Sequence, residues 1–225
     1  MAITLLELRE QSRFRANQEN SDFVTDVELN TYINSSIAEL HDILVQSYGS
    51  DYFLSEYNFT TVSDTDSYIL PDDFYKLTGV DAKIADNEYH TLMQFSFADR
   101  RRYQNTAGWN DYFLPNVRYR VMGSNLRFSP TPDAAYDIKV WYTPVSAKLV
   151  DDTDELEDYN QFSEYVIVDA AIKMMLKEES DVSVLLAQKA ELKRRIEEAS
   201  QNRDAGNPDQ IIDVHARADE YWFRR

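Results

Sequence analysis

The sequence predicts an α+β fold: a helical bundle from the N- and C-terminal regions, an inserted small antiparallel β module, and an extended C-terminal tail. Three observations predict it. Apolar residues recur at intervals of three and four near both ends of the chain, the middle breaks into short β-rich runs punctuated by Gly, Pro, Asn and Asp, and the last helical stretch stops at Gly206 and Pro208. The expected boundaries are residues 1–51 and 145–205 for the bundle, 52–144 for the β module and 206–225 for the tail.

Thr4 followed three residues later by Glu7 is a capping-box pattern, and Leu5, Leu6, Leu8 and Phe14 suit a short first helix ending near "NQENSD". Thr25 with Glu28 repeats the device. Behind it Leu29, Ile33, Ile37, Leu40 and Leu44 form an apolar stripe, widened by Tyr32 and Ile43, and Gly49 offers a C-terminal cap.

The runs "EYNFTTV", "DSYILP", "LTGVDAKIA", "YHTLMQF", "VRYRVMG", "NLRFSP" and "YDIKVWYTP" read as strands. A hairpin is expected to turn at Gly123, Ser124 and Asn125. In the last run Ile138, Val140 and Tyr142 share one face and Lys139 and Trp141 the other, so both faces are candidates for burial. "FSFADRRRYQN" is expected as a helical interruption of the module.

The acidic stretch "DDTDELEDYN" leads into "QFSEYVIVDAAIKMML", in which Phe162, Tyr165, Val166, Ala170, Met174 and Met175 describe a helix apolar almost all round. Ser180 is positioned to break and recap it. The continuation, rich in helix formers and in acid–base pairs such as Glu191 with Arg195, is polar on most faces and suits an exposed or inter-subunit element.

Composition narrows the function. With 40 acidic against 23 basic residues in 225 the formal net charge is −17, which argues against a groove that grips nucleic acid through clustered Lys and Arg. There is no cysteine, hence no disulfide framework, thiolate nucleophile or cysteine-bound zinc. The start of the chain lacks the pattern of a secretory signal, and no run reaches the ~18 apolar residues of a membrane span, so a soluble protein made in a reducing compartment is expected.

No catalytic motif stands out. His41, His90 and His215 are far apart in sequence and are expected at the surface or an interface rather than on a metal. "DDTDELEDYN" has the carboxylate density of a calcium loop without its glycine or its spaced terminal Glu, and reads as a solvated acidic loop. Asp72, Asp73 and Asp81 are the carboxylates a hydrolase of this chain would use, though Asp72 and Asp73 after Pro71 read more simply as a helix N-terminal cap. Arg100, Arg101 and Arg102 form the densest basic cluster and are expected to pair with neighbouring acids, with inter-subunit salt bridging as the middle alternative and nucleic-acid binding disfavoured by the overall charge. The tail is the sharpest candidate site. Its Ile211, Ile212, Val214, Tyr221, Trp222, Phe223, Arg224 and Arg225 have the composition of an interface anchor, since aromatics and Arg dominate binding energetics.

The segments "SYILPDDFYKLTGVDA", "FSFADRRRYQN", "VRYRVMGSNLRFSPTPDAAYDIKVWYTP" and "VIVDAAIKMMLKEESDVSVLLAQKAELKRRIEEASQNRDAGNPDQIIDV" together resemble the head-to-tail adaptor, or connector, proteins of tailed bacteriophages. The resemblance implies a non-enzymatic virion protein at the head–tail junction, made in the host bacterial cytoplasm. It further implies a ring of about twelve copies under the portal protein, with the C-terminal segment docked on the portal. Tail, nozzle or tail-tube proteins would take the other face. Double-stranded DNA would pass through the lumen without specific binding, and neither cofactor nor membrane is implied. The alternatives are a tail-terminator or head-closure ring that never meets the portal, and, from other classes, a carboxylate-dependent hydrolase or a host scaffold protein.

Overall fold

In the computed structural model, which describes residues 3–19, 23–85, 88–103, 109, 116–156, 159 and 162–201, a two-residue strand β1 (Ile3–Thr4) leads straight into helix α1 (Leu5–Arg15). The capping box is complete. Thr4 Oγ1 accepts the Glu7 N–H at 3.2 Å and the Glu7 carboxylate accepts the Thr4 N–H at 2.9 Å. Helix α2 (Asp26–Tyr48) begins with only half of the device: Thr25 accepts the Glu28 N–H at 3.3 Å, while the Glu28 carboxylate turns outward to Lys177 (2.6 Å) and Tyr32 (2.7 Å). Gly49 ends α2 at φ +96°, a conformation side chains with a Cβ rarely adopt. The predicted stripe Leu29, Ile33, Ile37, Leu40 and Leu44 is fully buried.

Strands β2 (Ser55–Thr60), β3 (Ser67–Ile69), β4 (Phe74–Ala85), β5 (Glu88–Thr91), β6 (Met93–Gln94), β7 (Arg118–Met122), β8 (Asn125–Ser129) and β9 (Asp137–Pro144) form two four-stranded sheets, ordered β2-β9-β4-β5 and β3-β8-β7-β6. Both line one core: Val80, Ala82, Ile138 and Val140 come from the first sheet, Tyr119, Leu126 and Phe128 from the second. The module is not wholly antiparallel as predicted, because β6 runs parallel to β7. Residues 95–117 supply the long connection that a parallel pair requires. The β7–β8 hairpin pairs Met122 with Asn125, so the turn is Gly123 and Ser124 alone, and Asn125 belongs to β8. Gly123 has φ +62°, as a tight two-residue turn demands. The expected helical interruption is a single 3₁₀ turn, Phe97–Asp99. The Phe95 N–H is held by the Tyr119 carbonyl just before it, so the turn starts only after the strand pairing ends.

After the β module, β10 (Glu155–Leu156) pairs with β1, fastening the start of α1 to the segment that precedes α3 (Ser163–Lys177). Helix α3 buries almost its whole circumference, from Tyr165 through Ile172 and Met174. Helix α4 (Ser183–Gln201) follows, and it is Asp181, not Ser180, that caps it, accepting the Ser183 N–H at 2.9 Å. Glu191 is hydrogen-bonded by Arg194, with Nε to Oε2 at 2.9 Å, while Arg195 acts on it through charge without a hydrogen bond. Helices α1, α2, α3 and α4 pack on one another around a core that runs from Leu5 and Leu8 through the α2 stripe to Tyr165, Met174 and Ile196, separate from the core of the two sheets.

Candidate interaction surface

The residues of the predicted docking tail, Ile211, Ile212, Val214, Tyr221, Trp222, Phe223, Arg224 and Arg225, lie outside the described residues, as does His215. The other sequence candidates have definite places.

The hydrolase candidates do not converge. Asp72 and Asp73 sit in a turn closed by Phe74 N–H to the Pro71 carbonyl, and this turn feeds strand β4 rather than a helix, which corrects the expected helix cap. The Asp73 carboxylate accepts the Tyr142 hydroxyl at 3.0 Å, and Asp81 accepts the Trp141 indole N–H and the Thr91 hydroxyl, each at 2.7 Å. Asp73 and Asp81 are thus occupied by their own partners on β9 and β5. Among the described residues no group of three His, Asp or Glu side chains is arranged to hold a metal ion.

His41 departs from its expected surface position. It is buried on α2, stacked on Phe53 with ring centroids 4.5 Å apart, and its Nδ1 lies 3.2 Å from the Tyr159 hydroxyl. Nε2 has no hydrogen-bond partner. Burial holds the imidazole below its ordinary pKa, against the smaller upward pull of the Pro144 carbonyl and Asp42. A cavity of about 240 Å³ opens beside it, bounded by Phe53, Pro144, Leu149 and Tyr159, where the end of β9 meets the helices. A neutral imidazole stacked on Phe53 and hydrogen-bonded to Tyr159 acts as a packing element.

The acidic stretch is structural as well as solvated. Asp154 closes its own turn by accepting the Val150 and Asp151 N–H groups at 2.7 and 2.9 Å, which keeps its carboxyl below the usual range. Asp152 receives the buried Arg9 guanidinium of α1, which also reaches Asp26 at 3.3 Å. Through these pairs the loop before α3 is tied to both N-terminal helices.

The arginine cluster is the surface with the strongest chemical character. Arg100 lies 4.8 Å and Arg120 5.9 Å from the Phe97 ring centroid, and Arg118 and Arg102 lie 5.5 and 5.9 Å from that of Tyr103. Among the described residues Arg100, Arg101 and Arg102 make none of the expected ion pairs, and Arg100 and Arg102 lie over aromatic faces instead. Phe97 is 54% exposed and Met93 beside it 64%. A groove of about 420 Å³ runs between the 3₁₀ turn and β8, walled by Phe95, Phe97, Arg100, Arg101 and Arg127. The sequence showed the basic triplet but not its enlargement by Arg118, Arg120 and Arg127, which depends on strand register.

Two comparisons bear on what such a molecule is. The profile of a family described as SU10 adaptor protein matches residues 3–212, spanning both helical ends and the two sheets. No curated protein matches the chain.

Proposed function

The chain belongs to the SU10 adaptor protein family, a family of bacteriophage head-to-tail adaptors, and on that premise we propose that it forms a ring under the portal which joins it to the tail. The ring continues the DNA conduit, and the C-terminal tail, residues 206–225, docks on the portal. The observation that carries this reading is the family match over residues 3–212, which includes Ile211 and Ile212 of the tail.

Three further features support it. The helices and the two sheets keep separate cores, as expected of a bundle formed by residues 1–51 and 145–205 with residues 52–144 inserted as a lobe. The net charge of −17 suits a conduit wall, because a surface that must let a polyanion slide should not create the counterion-release affinity of clustered Lys and Arg. Candidate carboxylates Asp73 and Asp81 are each engaged by hydrogen bonds from the β9 side chains Tyr142 and Trp141, which favours a structural role over a hydrolase. The ring would number about twelve copies, the order that the family resemblance implies, with tail proteins below it.

The test is the mass of the chain by light scattering, alone and mixed with purified portal rings, for the full chain and for a chain lacking residues 207–225. A stoichiometric complex with the full chain and none with the truncated one is the expected result. Retained portal binding by a truncated, folded chain would reject tail docking. Failure of the full chain to bind portal would favour a tail-terminator or head-closure ring.

A further inference from the structure

The outward face of the β3-β8-β7-β6 sheet concentrates positive charge on a strongly acidic chain. On β7, Arg118 and Arg120 alternate with Tyr119, whose side chain is buried in the core between the sheets. The β7–β8 register sets Arg120 directly opposite Arg127. Residues paired across an antiparallel ladder share a face, and like charges so placed destabilise the sheet. Asp66 meets only Arg127, at 3.4 Å. Among the described residues no carboxylate lies within ion-pairing distance of Arg100, Arg101, Arg102, Arg118 or Arg120, and Arg118 Nε is buried without a hydrogen-bond partner. Aromatic rings flank Arg100, Arg102, Arg118 and Arg120, and Arg100 and Arg120 also donate to the Phe97 and Phe95 carbonyls, so among the described residues no carboxylate balances their charge.

Arginine, exposed Phe97 and exposed Met93 make the composition of a protein–protein contact. The counter-surface must be acidic. A chain with 40 acidic and 23 basic residues, six of the latter gathered on this one face and the adjoining 3₁₀ turn, has only 17 basic residues elsewhere against its 40 acids, and is always present with its own copies. We propose that this arginine–aromatic face is a subunit contact, receiving the acidic surface of a neighbouring copy of the same chain head to tail. Two different patches meet in such a contact, so it repeats from copy to copy, around a ring where the rotation closes, rather than ending at a dimer. The inference rests on the ring reading above and names the face that builds it. Nucleic acid is the less favoured occupant, because the field of the whole chain repels a polyanion before it reaches the patch.

The experiment is sedimentation velocity of the full chain over rising concentration at low and high salt, beside the variants Arg120→Glu and Arg100→Ala/Arg101→Ala. A labelled DNA duplex and purified portal are titrated separately. In Arg120→Glu the new carboxylate faces Arg127 across the ladder but gives up the bond to the Phe95 carbonyl, so the thermal midpoint of each variant is measured and association is compared only between chains that are equally folded. Salt-sensitive self-association of the wild-type chain, weakened about tenfold or more by Arg120→Glu, is the expected result. A wild-type chain that stays monomeric at every concentration, or a variant that associates as tightly, overturns the proposal. So does a duplex bound through the same arginines with self-association unchanged. Portal capture is read independently: self-association through this face without portal binding rejects the adaptor reading alone, and portal binding with unaltered association in Arg120→Glu rejects the subunit contact alone.

Discussion

Lys189 of α4 places its ammonium 2.7 Å from the carboxylate of Asp169, a residue of α3 that is only 3% exposed. Lys173 takes the other Asp169 oxygen at 2.7 Å, Ser36 donates to that same oxygen at 2.6 Å, and Lys189 also reaches Glu39 at 2.7 Å. Two carboxylates and two ammonium groups thus balance inside the joint of α2, α3 and α4. A buried charge is tolerated only when paired and hydrogen-bonded, so this network fixes which helix faces meet. Asp169→Ala leaves Lys173 and Lys189 without their shared anion and should cost about 3–5 kcal/mol. Urea denaturation reads this as a lower midpoint at unchanged slope. A loss below about 1 kcal/mol would mean that the network contributes little net stability.

The same network contributes to both limbs of the pH profile. Burial pushes the Asp169 carboxyl up, but the hydrogen bonds from Lys173, Lys189 and Ser36 outweigh it and hold it below the ordinary value. Its stabilisation is complete above the unfolded-state value of ~3.9 and is lost as pH falls through the lower folded-state value. Lys189 is opposite in sign: burial lowers it, Asp169 and Glu39 raise it further, and its contribution is present below ~10.4 and lost as pH rises through the raised folded-state value. Asp169→Asn should flatten the acid limb. Thermal midpoints measured across the acid range check this, and an unchanged slope would assign acid unfolding to other carboxylates.

His41 adds a milder effect nearer neutrality. Its depressed pKa means that folding favours the neutral ring, so its contribution is complete above the unfolded-state value of ~6.5 and declines as pH falls from there toward the folded-state value. His41→Phe keeps a ring on Phe53 and removes the titrating group at the cost of the Tyr159 hydrogen bond. The variant should lose less thermal stability than the wild-type chain between neutral pH and pH ~5.5. Equal losses would place the titration elsewhere.

What was legible in the sequence was local. The α2 stripe from Leu29 to Leu44, the capping threonines and the turn at Gly123 are set by neighbours within one or two turns of chain, where period and turn chemistry are strong signals. Features set by distant partners were not. The opposition of Arg120 and Arg127 follows from strand register, and Arg9 finds Asp152 across 143 positions. The two-residue β1–β10 pair is too short to carry any period. Asp72 and Asp73 misled because a proline followed by acids suits a turn into a strand as well as a helix start. One signal was available and unread: Asp169 stands alone in the apolar run "VIVDAAI", and a lone acid on a helix buried all round requires cationic partners.

The two threonine caps provide an internal comparison in one chain. At Thr4 the box is reciprocal, and the residue also belongs to β1, where it pairs with Glu155. At Thr25 the side chain accepts a single N–H at 3.3 Å, while Glu28 serves Lys177 and Tyr32 instead. Thr4→Ala should therefore cost about 1–2 kcal/mol and Thr25→Ala about 0.5–1 kcal/mol. Glu7→Ala should remove a further part of the first cap but not add fully to Thr4→Ala, since the two side chains satisfy one another's backbone donors. Chemical denaturation of the three single variants and the Thr4→Ala/Glu7→Ala double variant measures the coupling. Strict additivity would show that the two hydrogen bonds act independently and that the box has no reciprocal character.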